Sequence, residues 1–269
     1  MKNVFELKSP GGQYKIYLPE HNIDHIQKII AATNEPYEKE MLLDIASKLN
    51  PGDLYLDIGA NIGNHSLFVA SLKCKVFSFE PNIKLVQILR QSIAYNGFEN
   101  LINISNFGLG RKESRANFAA EVKENTGMQT LIEDTDGGIE VKTLDSLTFP
   151  QKIKIIKIDV EQMEVDVLYG AQKTIAENRP IMYIESQGRE FQLAMEFLAR
   201  LDYIYWDTFN ATPTHLFIPI ELIETWWQPG HPSNNIAFLL HRTETRFKSS
   251  LLLLLEARKT MAELKNNPC

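Results

Sequence analysis

The chain alternates between short apolar runs and longer segments in which apolar residues recur at helical spacing. Short apolar runs between turn residues predict buried strands, and the second pattern predicts amphipathic helices. The predicted strands cover residues 54–57, 75–80, 101–107, 153–158, 181–185, 203–206 and 236–240. This alternation predicts an α/β fold with a doubly wound, mostly parallel, seven-stranded sheet.

The predicted helices fill the intervals between most of these strands. They cover residues 67–72, 83–96, 167–175 and 191–201, and a further helix at 37–49 precedes the first strand. Between the last two predicted strands there is no helix-length apolar pattern. We therefore expect the last strand to pair antiparallel or to form an edge hairpin.

The alternation also predicts how the chain divides. Residues 1–36 combine a strand-like stretch at 14–18 with helical spacing at 23–30, so we expect a strand and helix extension that packs on the main domain. The main domain is predicted over 37–245, with an inserted hairpin region at 111–152. Residues 246–269 are predicted to form a helix that could dimerise or dock on its own domain, since two heptads are too few to choose.

Composition and charge narrow the class of partner. The formal net charge is −6, which disfavours nucleic acid as the main partner. Two cysteines argue against a disulfide framework and fit a reducing compartment. The longest apolar run is far shorter than a membrane span, and the first residues lack the apolar core of a signal peptide. We therefore expect a cytoplasmic protein without a membrane span.

Carboxylates stand at the ends of four predicted strands. They are Asp57, Glu80, Asp159 and Glu185. Because the carboxyl ends of parallel strands meet at one edge of the sheet, these residues predict an acidic crevice where ligands bind.

The turn after the first of these strands separates two ligand classes. A dinucleotide site needs G-x-G-x-x-G so that the backbone approaches a pyrophosphate. Here Asp57 precedes Gly59 and Gly63, and Asn61 takes the middle position. A carboxylate repels a pyrophosphate but suits a ligand that carries an ammonium group beside a carboxylate. S-adenosylmethionine has both groups and no phosphate, so we favour it over NAD.

Further residues are predicted to complete the donor site. Glu80 ends the next strand, where an acid accepts hydrogen bonds from both ribose hydroxyls. Asn106 and Phe107 could serve adenine, although a plain strand-to-turn transition is the alternative. The predicted cofactor-binding residues are Asp57, Gly59, Ala60, Asn61, Gly63, Asn64, Glu80, Pro81, Asn106 and Phe107.

Several motifs in order resemble those of a known family. They are Asp-Ile-Gly-Ala-Asn-Ile-Gly-Asn-His at 57–65, Phe-Glu-Pro-Asn at 79–82, Thr-Leu-Asp-Ser-Leu at 143–147 and Ile-Lys-Ile-Asp-Val-Glu at 156–161. Over residues 37–205 the chain resembles the FkbM-type S-adenosylmethionine-dependent methyltransferases. The resemblance implies a Rossmann-like, class I methyltransferase fold and usually O-methylation of sugars or related metabolites. Gln162 departs from the pattern, since the family often has Gly there.

Three residues are candidates for the catalytic step. Methyl transfer is an in-line displacement, which needs alignment and, for a hydroxyl acceptor, a positioned base. Asp159 is the leading candidate and Glu161 lies beside it, but Asp159 could instead orient the ligand or cap a helix. His65 could contact the acceptor or the methionine carboxylate, whereas packing is the commoner role for such a histidine.

The same strand ends raise the question of a metal. Asp159, Glu161 and Glu185 could bind a divalent cation, because hard cations favour oxygen ligands. We favour solvated carboxylates over a metal site. The acceptor is expected to be a small molecule or glycan, and an NAD-type oxidoreductase or a non-catalytic S-adenosylmethionine-binding module are the alternative functions.

Overall fold

The computed structural model describes residues 3–119 and 130–222. Its strands are β1 (Val4–Ser9), β2 (Gly12–Tyr17), β3 (Leu54–Ile58), β4 (Lys75–Phe79), β5 (Ile102–Ser105), β6 (Gly108–Leu109), β7 (Ser114–Phe118), β8 (Leu131–Glu133), β9 (Ile139–Lys142), β10 (Ile153–Ile158), β11 (Ile181–Glu185), β12 (Tyr203–Phe209) and β13 (Thr214–Pro219). Its helices are α1 (His25–Thr33), α2 (Lys39–Ser47), α3 (Asn64–Ser71), α4 (Ile83–Asn96), α5 (Glu164–Tyr169), α6 (Gln172–Asn178) and α7 (Gly188–Ala199).

A seven-stranded sheet forms the centre of the described fold. Its strand order is β12-β13-β11-β10-β3-β4-β5. Strand β13 runs antiparallel to both of its neighbours, and the remaining pairs are parallel. The α/β class and the mostly parallel, seven-stranded sheet predicted from the sequence are therefore confirmed.

Side chains of the central strands alternate between two apolar cores, one on each face of the sheet. In β3, Tyr55 enters one core, whereas Leu54, Leu56 and Ile58 enter the other. Helices α1 to α4 cover the first core and α5 to α7 cover the second. Every residue of β3 is buried, as expected for a strand covered on both faces.

The antiparallel strand lies at a different place in the sequence from the one predicted. Its position is filled by β13, and the predicted strand at 236–240 lies outside the described residues. Strand β13 is buried throughout because it lies between β11 and β12. A short turn that includes Asn210, with φ of 67°, joins it to β12. The predicted edge hairpin is therefore present, with a different second strand.

One helix prediction is revised by a close backbone contact. The single helix expected over 167–175 is two helices, α5 and α6, which meet at Gly170. A Cβ at Gly170 would lie 2.0 Å from the Gly110 carbonyl oxygen, so this glycine permits a close contact with the loop after β6. In the insertion predicted as a hairpin region, β7 pairs antiparallel with β8 and β9, and β6 completes a four-stranded sheet with the order β6-β9-β7-β8.

At the N-terminus, β1 and β2 form an antiparallel hairpin, of which only the second strand was predicted. The amides of Lys15 and Tyr17 donate to Asn96 Oδ1 and Ser92 Oγ of α4, at 2.7 and 2.9 Å. The hairpin therefore docks on α4. The domain boundaries stay a prediction, and the C-terminal helix at 246–269 lies outside the described residues. Among the described helices, none is long and apolar enough to cross a membrane.

Candidate active site

A cavity of about 760 Å³ opens at the carboxyl ends of β3, β4, β10 and β11. We name its two sides by their residues. The glycine-turn side consists of Gly59, Asn61, Glu80, Pro81 and Phe107. The carboxylate side consists of Glu38, Asp159, Glu161 and Glu185. The cavity lies where a doubly wound sheet is expected to bind its ligand.

The turn after β3 is fixed by contacts that only glycine permits. Gly59 has φ of +82°, and a Cβ on it would lie 1.7 Å from the Asp159 carbonyl oxygen. The amides of Gly59 and Ala60 both donate to the Phe79 carbonyl at 3.0 Å. The turn is therefore held against the ends of β4 and β10, and its backbone lines the cavity.

Glu80 follows β4, and both of its carboxylate oxygens are held by the backbone. Oε2 accepts from the Asn61 amide and Oε1 from the Asn82 amide, each at 2.8 Å. Burial raises the pKa of Glu80 to about 7, although these two amides and the charge of Lys157 act in the opposite direction. Each oxygen keeps a second lone pair. The residue is thus a fixed acceptor pair in the cavity wall.

The residues after β5 divide between the cavity and its support. The Phe107 ring lines the cavity and lies 5.8 Å from the Phe79 ring. Asn106 Nδ2 donates to the carbonyls of Glu80 and Pro81, at 2.9 Å each, and does not line the cavity. Asn106 therefore holds the Glu80 loop in place, while Phe107 offers the apolar face predicted from the sequence.

Asp57 lies beneath the glycine turn and is fully buried. Its Oδ2 accepts from Ser66 Oγ at 2.5 Å, and Ser66 Oγ in turn lies 2.7 Å from Ser78 Oγ. Its Oδ1 accepts no hydrogen bond within the described part of the chain and lies 3.7 Å from Lys157 Nζ. Asp57 does not line the cavity, so its placement does not support the direct ligand contact predicted from the sequence.

Asn64 and His65, at the start of α3, hold the segment before α2. Asn64 Oδ1 accepts from the Tyr37 amide at 3.0 Å, and its Nδ2 donates to the Tyr37 carbonyl at 2.9 Å. His65 Nε2 lies 3.1 Å from Glu38 Oε2, with both side chains buried. Neither Asn64 nor His65 lines the cavity, in contrast to the roles predicted for them. Instead, they hold Tyr37 and Glu38, which both line the cavity, in place.

Gly63 and Ala60 also lie outside the cavity wall. Gly63 is the N-cap of α3, with φ of +89°. Ala60 is buried beside the turn. Of the ten predicted cofactor-binding residues, the cavity is therefore lined by Gly59, Asn61, Glu80, Pro81 and Phe107.

Lys157 is a site residue that the sequence analysis missed. It is 2% exposed, and its Nζ lies 3.0 Å from Asp159 Oδ2 and donates to the Gly59 carbonyl at 3.1 Å. Burial lowers the pKa of Lys157, but the carboxylates of Asp159 and Asp57 outweigh burial and raise it. A charged lysine therefore ties the glycine turn to the first residue of the carboxylate side.

The carboxylate side holds several acids close together. Burial and the nearby Asp159 charge raise the pKa of Glu161, and the same two causes, against the attraction of Lys157, raise that of Glu185 to about 9. Glu164 also borders the cavity, and burial raises its pKa to about 7. Asp159 and Glu161 thus both reach the cavity, as predicted, and Glu185 joins them.

The turn that carries Glu161 has a left-handed backbone at two successive residues. Glu161 has φ of +54° and Gln162 has φ of +73°. Glycine adopts this region without the steric cost that other residues meet. At Gln162, a glycine, which the family resemblance implies at this position, would therefore adopt the observed backbone conformation at a lower steric cost.

Within the residues that the structure describes, no group of three or more His, Cys, Asp or Glu side chains could hold a metal ion.

The sheet order, the single antiparallel strand and the strand-end cavity define a Rossmann-like α/β protein of the class I methyltransferase type. The model of the methyltransferase FkbM domain matches residues 57–205, which is more than half of the chain. The chain therefore belongs to the FkbM methyltransferase domain family. No curated protein matches the chain.

Solved structures with similar folds include several methyltransferases. Methyltransferase FkbM from Methylobacillus flagellatus has 20% identity and a TM-score of 0.49, with 74% of this chain and 49% of that chain covered. This chain thus spans about half the length of that protein. An rRNA methylase from Streptococcus thermophilus has 15% identity and a TM-score of 0.43, with 66% of this chain and 92% of that chain covered. A Streptococcus mutans protein in complex with SAH has 13% identity and a TM-score of 0.45, covering 66% and 94%.

Proposed function

We propose that the protein transfers a methyl group from S-adenosylmethionine to a hydroxyl of a sugar, glycan or glycosylated metabolite. The observation that carries the donor assignment is Glu80, whose two oxygens are fixed by backbone amides at the end of β4. S-adenosylmethionine, when bound, supplies a methyl group on a positively charged sulfur, which leaves as a neutral thioether.

The glycine-turn side fits the donor in its chemistry. The free lone pairs of Glu80 suit two ribose hydroxyls, and Phe107 gives an apolar surface for a base. Gly59 keeps the turn free of a side chain where the backbone meets the cavity. These residues would hold the nucleoside part of the donor.

The charge of the cavity argues against a dinucleotide. Among the described residues that line it, Arg189 is the one arginine or lysine. A pyrophosphate would face Glu38 and Asp159 with little positive charge to balance it. The same carboxylates attract a sulfonium and an ammonium group, so the cavity favours S-adenosylmethionine over NAD.

The carboxylate side suits a hydroxyl acceptor. Carboxylate oxygens accept hydrogen bonds from hydroxyl groups and orient them. Asp159 is held by Lys157 at 3.0 Å and still has 28% of its side chain exposed. We propose that Asp159 orients the acceptor hydroxyl and that Glu161 helps to bind it. His65 supports the wall through Glu38 and does not touch the acceptor.

Calorimetry with S-adenosylmethionine, SAH and NAD tests the donor assignment. In Glu80→Gln, one amide nitrogen must face a backbone N–H, so we expect about 10–100-fold weaker S-adenosylmethionine binding. Glu99→Gln, at an exposed residue outside the cavity, should bind like the wild type. Binding of NAD alone would overturn the proposal, as would unchanged S-adenosylmethionine affinity in Glu80→Gln.

The acceptor is tested with methyl-labelled S-adenosylmethionine. The purified protein is incubated with fractionated glycans, glycosylated metabolites, protein and nucleic acid. The label should appear as a methyl ether at a hydroxyl position of a sugar. Label found only in protein or nucleic acid would contradict the sugar assignment while leaving the donor assignment intact.

A further inference from the structure

Glu185 is a carboxylate of the cavity that the proposed function leaves without a role. It ends β11, beside β10, and Ile158 pairs with Ile184 in register. The residues that follow this pair, Asp159 and Glu185, therefore reach the cavity side by side. Within residues 3–119 and 130–222, the Glu185 carboxylate has no hydrogen bond or ion pair.

The groups around Glu185 are mostly negative. Those that act on its charge are Asp159, Glu38 and Glu161, with Lys157 as the cation. The charge of Glu185 helps to raise the pKa of Tyr37, after the larger effects of burial and Glu38. Arg189 and Glu190 of α7 line the same cavity. On β13, His215 Nε2 lies 2.9 Å from the Ser186 carbonyl oxygen. Burial lowers the pKa of His215 to about 4, so that this side chain is neutral at pH 7.

The one buried lysine in this cluster is already engaged. Lys157 lies 3.0 Å from Asp159 and 3.7 Å from Asp57. Within the described part of the chain, Glu185 is thus an acid without a partner next to Asp159, which has one. A positively charged ligand in the cavity would act as the counterion of an ionised Glu185 carboxylate.

We propose that Glu185 is the group that exchanges a proton during turnover: it releases a proton when the positively charged donor binds, and then takes the proton of the acceptor hydroxyl. This inference rests on the proposed function. In the free protein the pKa of Glu185 is raised to about 9, so it is protonated at pH 7. A positive charge within a few ångströms lowers a carboxyl pKa by about 1–3 units.

The transfer step then balances in atoms and charge. The acceptor oxygen bonds to the methyl carbon as the carbon–sulfur bond breaks, and that electron pair stays on sulfur. The proton leaves the acceptor oxygen for the Glu185 carboxylate. Loss of the positive charge on sulfur restores the high pKa of Glu185, so the residue holds the proton until the next donor binds. Asp159 keeps its place beside Lys157 throughout.

Calorimetry measures the proton released on binding without any acceptor. The heat of binding is measured at pH 8 in buffers of different ionisation enthalpy, for S-adenosylmethionine and for SAH. SAH has the same amino acid group and nucleoside but lacks the positive sulfur. We expect S-adenosylmethionine to release about 0.4–0.9 of a proton more than SAH does. In Glu185→Gln the difference should fall to about zero.

Three further variants and a pH series make the test specific. Glu196→Gln, at an exposed residue of α7 outside the cavity, should keep the difference. If Glu161→Gln abolished the difference while Glu185→Gln kept it, the released proton would come from Glu161, and the inference would be overturned. If Glu185→Gln does not fold, Glu185→Ser is used. In the wild type, affinity for S-adenosylmethionine relative to SAH should rise as pH rises and level off above about 9.

The outcomes separate the inference from the proposed function. Equal proton release by the two ligands, or a difference that persists in Glu185→Gln, would overturn the role of Glu185 and leave the donor assignment standing. Failure of both ligands to bind would overturn the proposed function and, with it, this inference.

Discussion

The two sides of the cavity differ in how fully their polar groups are satisfied within the fold. On the glycine-turn side, each oxygen of Glu80 accepts a backbone amide, and Asn106 bonds two carbonyls behind it. On the carboxylate side, Glu38 lies 3.1 Å from His65 and Asp159 pairs with Lys157, whereas Glu161 and Glu185 have no hydrogen-bond partner in the described part of the chain. Burial raises both of their pKa values.

This contrast teaches how one cavity serves two tasks. A side whose polar groups are satisfied within the fold keeps its shape before a ligand arrives, which lowers the cost of ordering on binding. A side with unpaired carboxylates is costly to the fold and responds to the charge of whatever enters. Lys157 joins the two sides, because it bonds the Gly59 carbonyl and pairs with Asp159.

Removing Lys157 should have the largest effect on this contrast. In Lys157→Met, Asp57 and Asp159 lose their cation, and leaving buried charges uncompensated costs about 3–5 kcal/mol. We expect a loss of that size in the free energy of unfolding, measured by chemical denaturation at pH 7. Lys154→Met, in the same strand but partly exposed, should change it by less than about 0.5 kcal/mol.

A double variant shows whether the loss comes from charge. Adding Asp57→Asn to Lys157→Met removes one of the two unpaired carboxylates, so part of the lost stability should return. If the single variant is as stable as the wild type, Lys157 does not hold the two sides together.

The glycine turn should show the next largest effect. Gly59→Ala places a Cβ 1.7 Å from the Asp159 carbonyl oxygen, and the backbone must move. We expect a loss of about 3 kcal/mol in the free energy of unfolding, together with weaker donor binding. Gly52→Ala is the matched control, because Gly52 also has positive φ, of +90°, but nothing within 4 Å of its Cβ position.

The control isolates the backbone term. Gly52→Ala should cost only about 1–2 kcal/mol, the penalty for a left-handed residue. Equal losses in the two variants would mean that contact with β10 contributes nothing and that the turn is set by its own φ values alone.

Local patterns were enough to predict the glycine-turn side. Gly59 and Glu80 follow apolar runs directly, so a short stretch of sequence gives both the strand and the residue at its end. The parallel sheet then brings such strand ends to one edge. Half of the predicted donor residues reach the cavity for this reason.

Other features depend on contacts between distant segments. Tyr37 and Glu38 meet Asn64 and His65 across 27 residues, and no pattern in either segment predicts that contact. Asn64 and His65 were therefore assigned to the ligand when they hold the wall. Their sequence position beside the glycine turn was correct, but their side chains point to a partner that comes earlier in the chain.

Lys157 could have been found from the sequence. It lies within an apolar run that was predicted to be a central, buried strand, where a lysine needs an acidic partner. In the parallel pair of β10 with β3, Lys157 stands opposite Asp57. A lysine and an aspartate, each just before the end of adjacent parallel strands, were the available signal.

The carboxylate side should also show itself in the pH dependence of stability. The folded pKa of Glu185, about 9, is above the ordinary value of 4.5. Folding therefore favours the protonated form. Its contribution to stability is fully present below pH 4.5 and is lost as the pH rises through about 9. In Glu185→Gln this loss should be absent, so the variant should be about 1–3 kcal/mol more stable than the wild type at pH 9.

Denaturation at pH 4.5, 7 and 9 measures this difference. The two proteins should be closest in stability at pH 4.5 and should diverge as pH rises. Glu196→Gln should follow the wild type at all three values. Parallel curves for Glu185→Gln and the wild type would show that Glu185 has an ordinary pKa, and the contrast between the two sides would lose its main support.

The smallest expected effect concerns the turn that carries Glu161. Gln162 has φ of +73°, and glycine there removes a steric cost of about 1–2 kcal/mol. Glycine also gains freedom in the unfolded chain, which takes back about 0.4–1 kcal/mol. We expect Gln162→Gly to be up to about 1 kcal/mol more stable in chemical denaturation. Introducing glycine at an exposed helical residue, as in Ala176→Gly of α6, should instead cost about 1 kcal/mol, because the backbone there is right-handed. A loss of stability in Gln162→Gly would mean that the glutamine side chain contributes more to the carboxylate side than its backbone conformation costs.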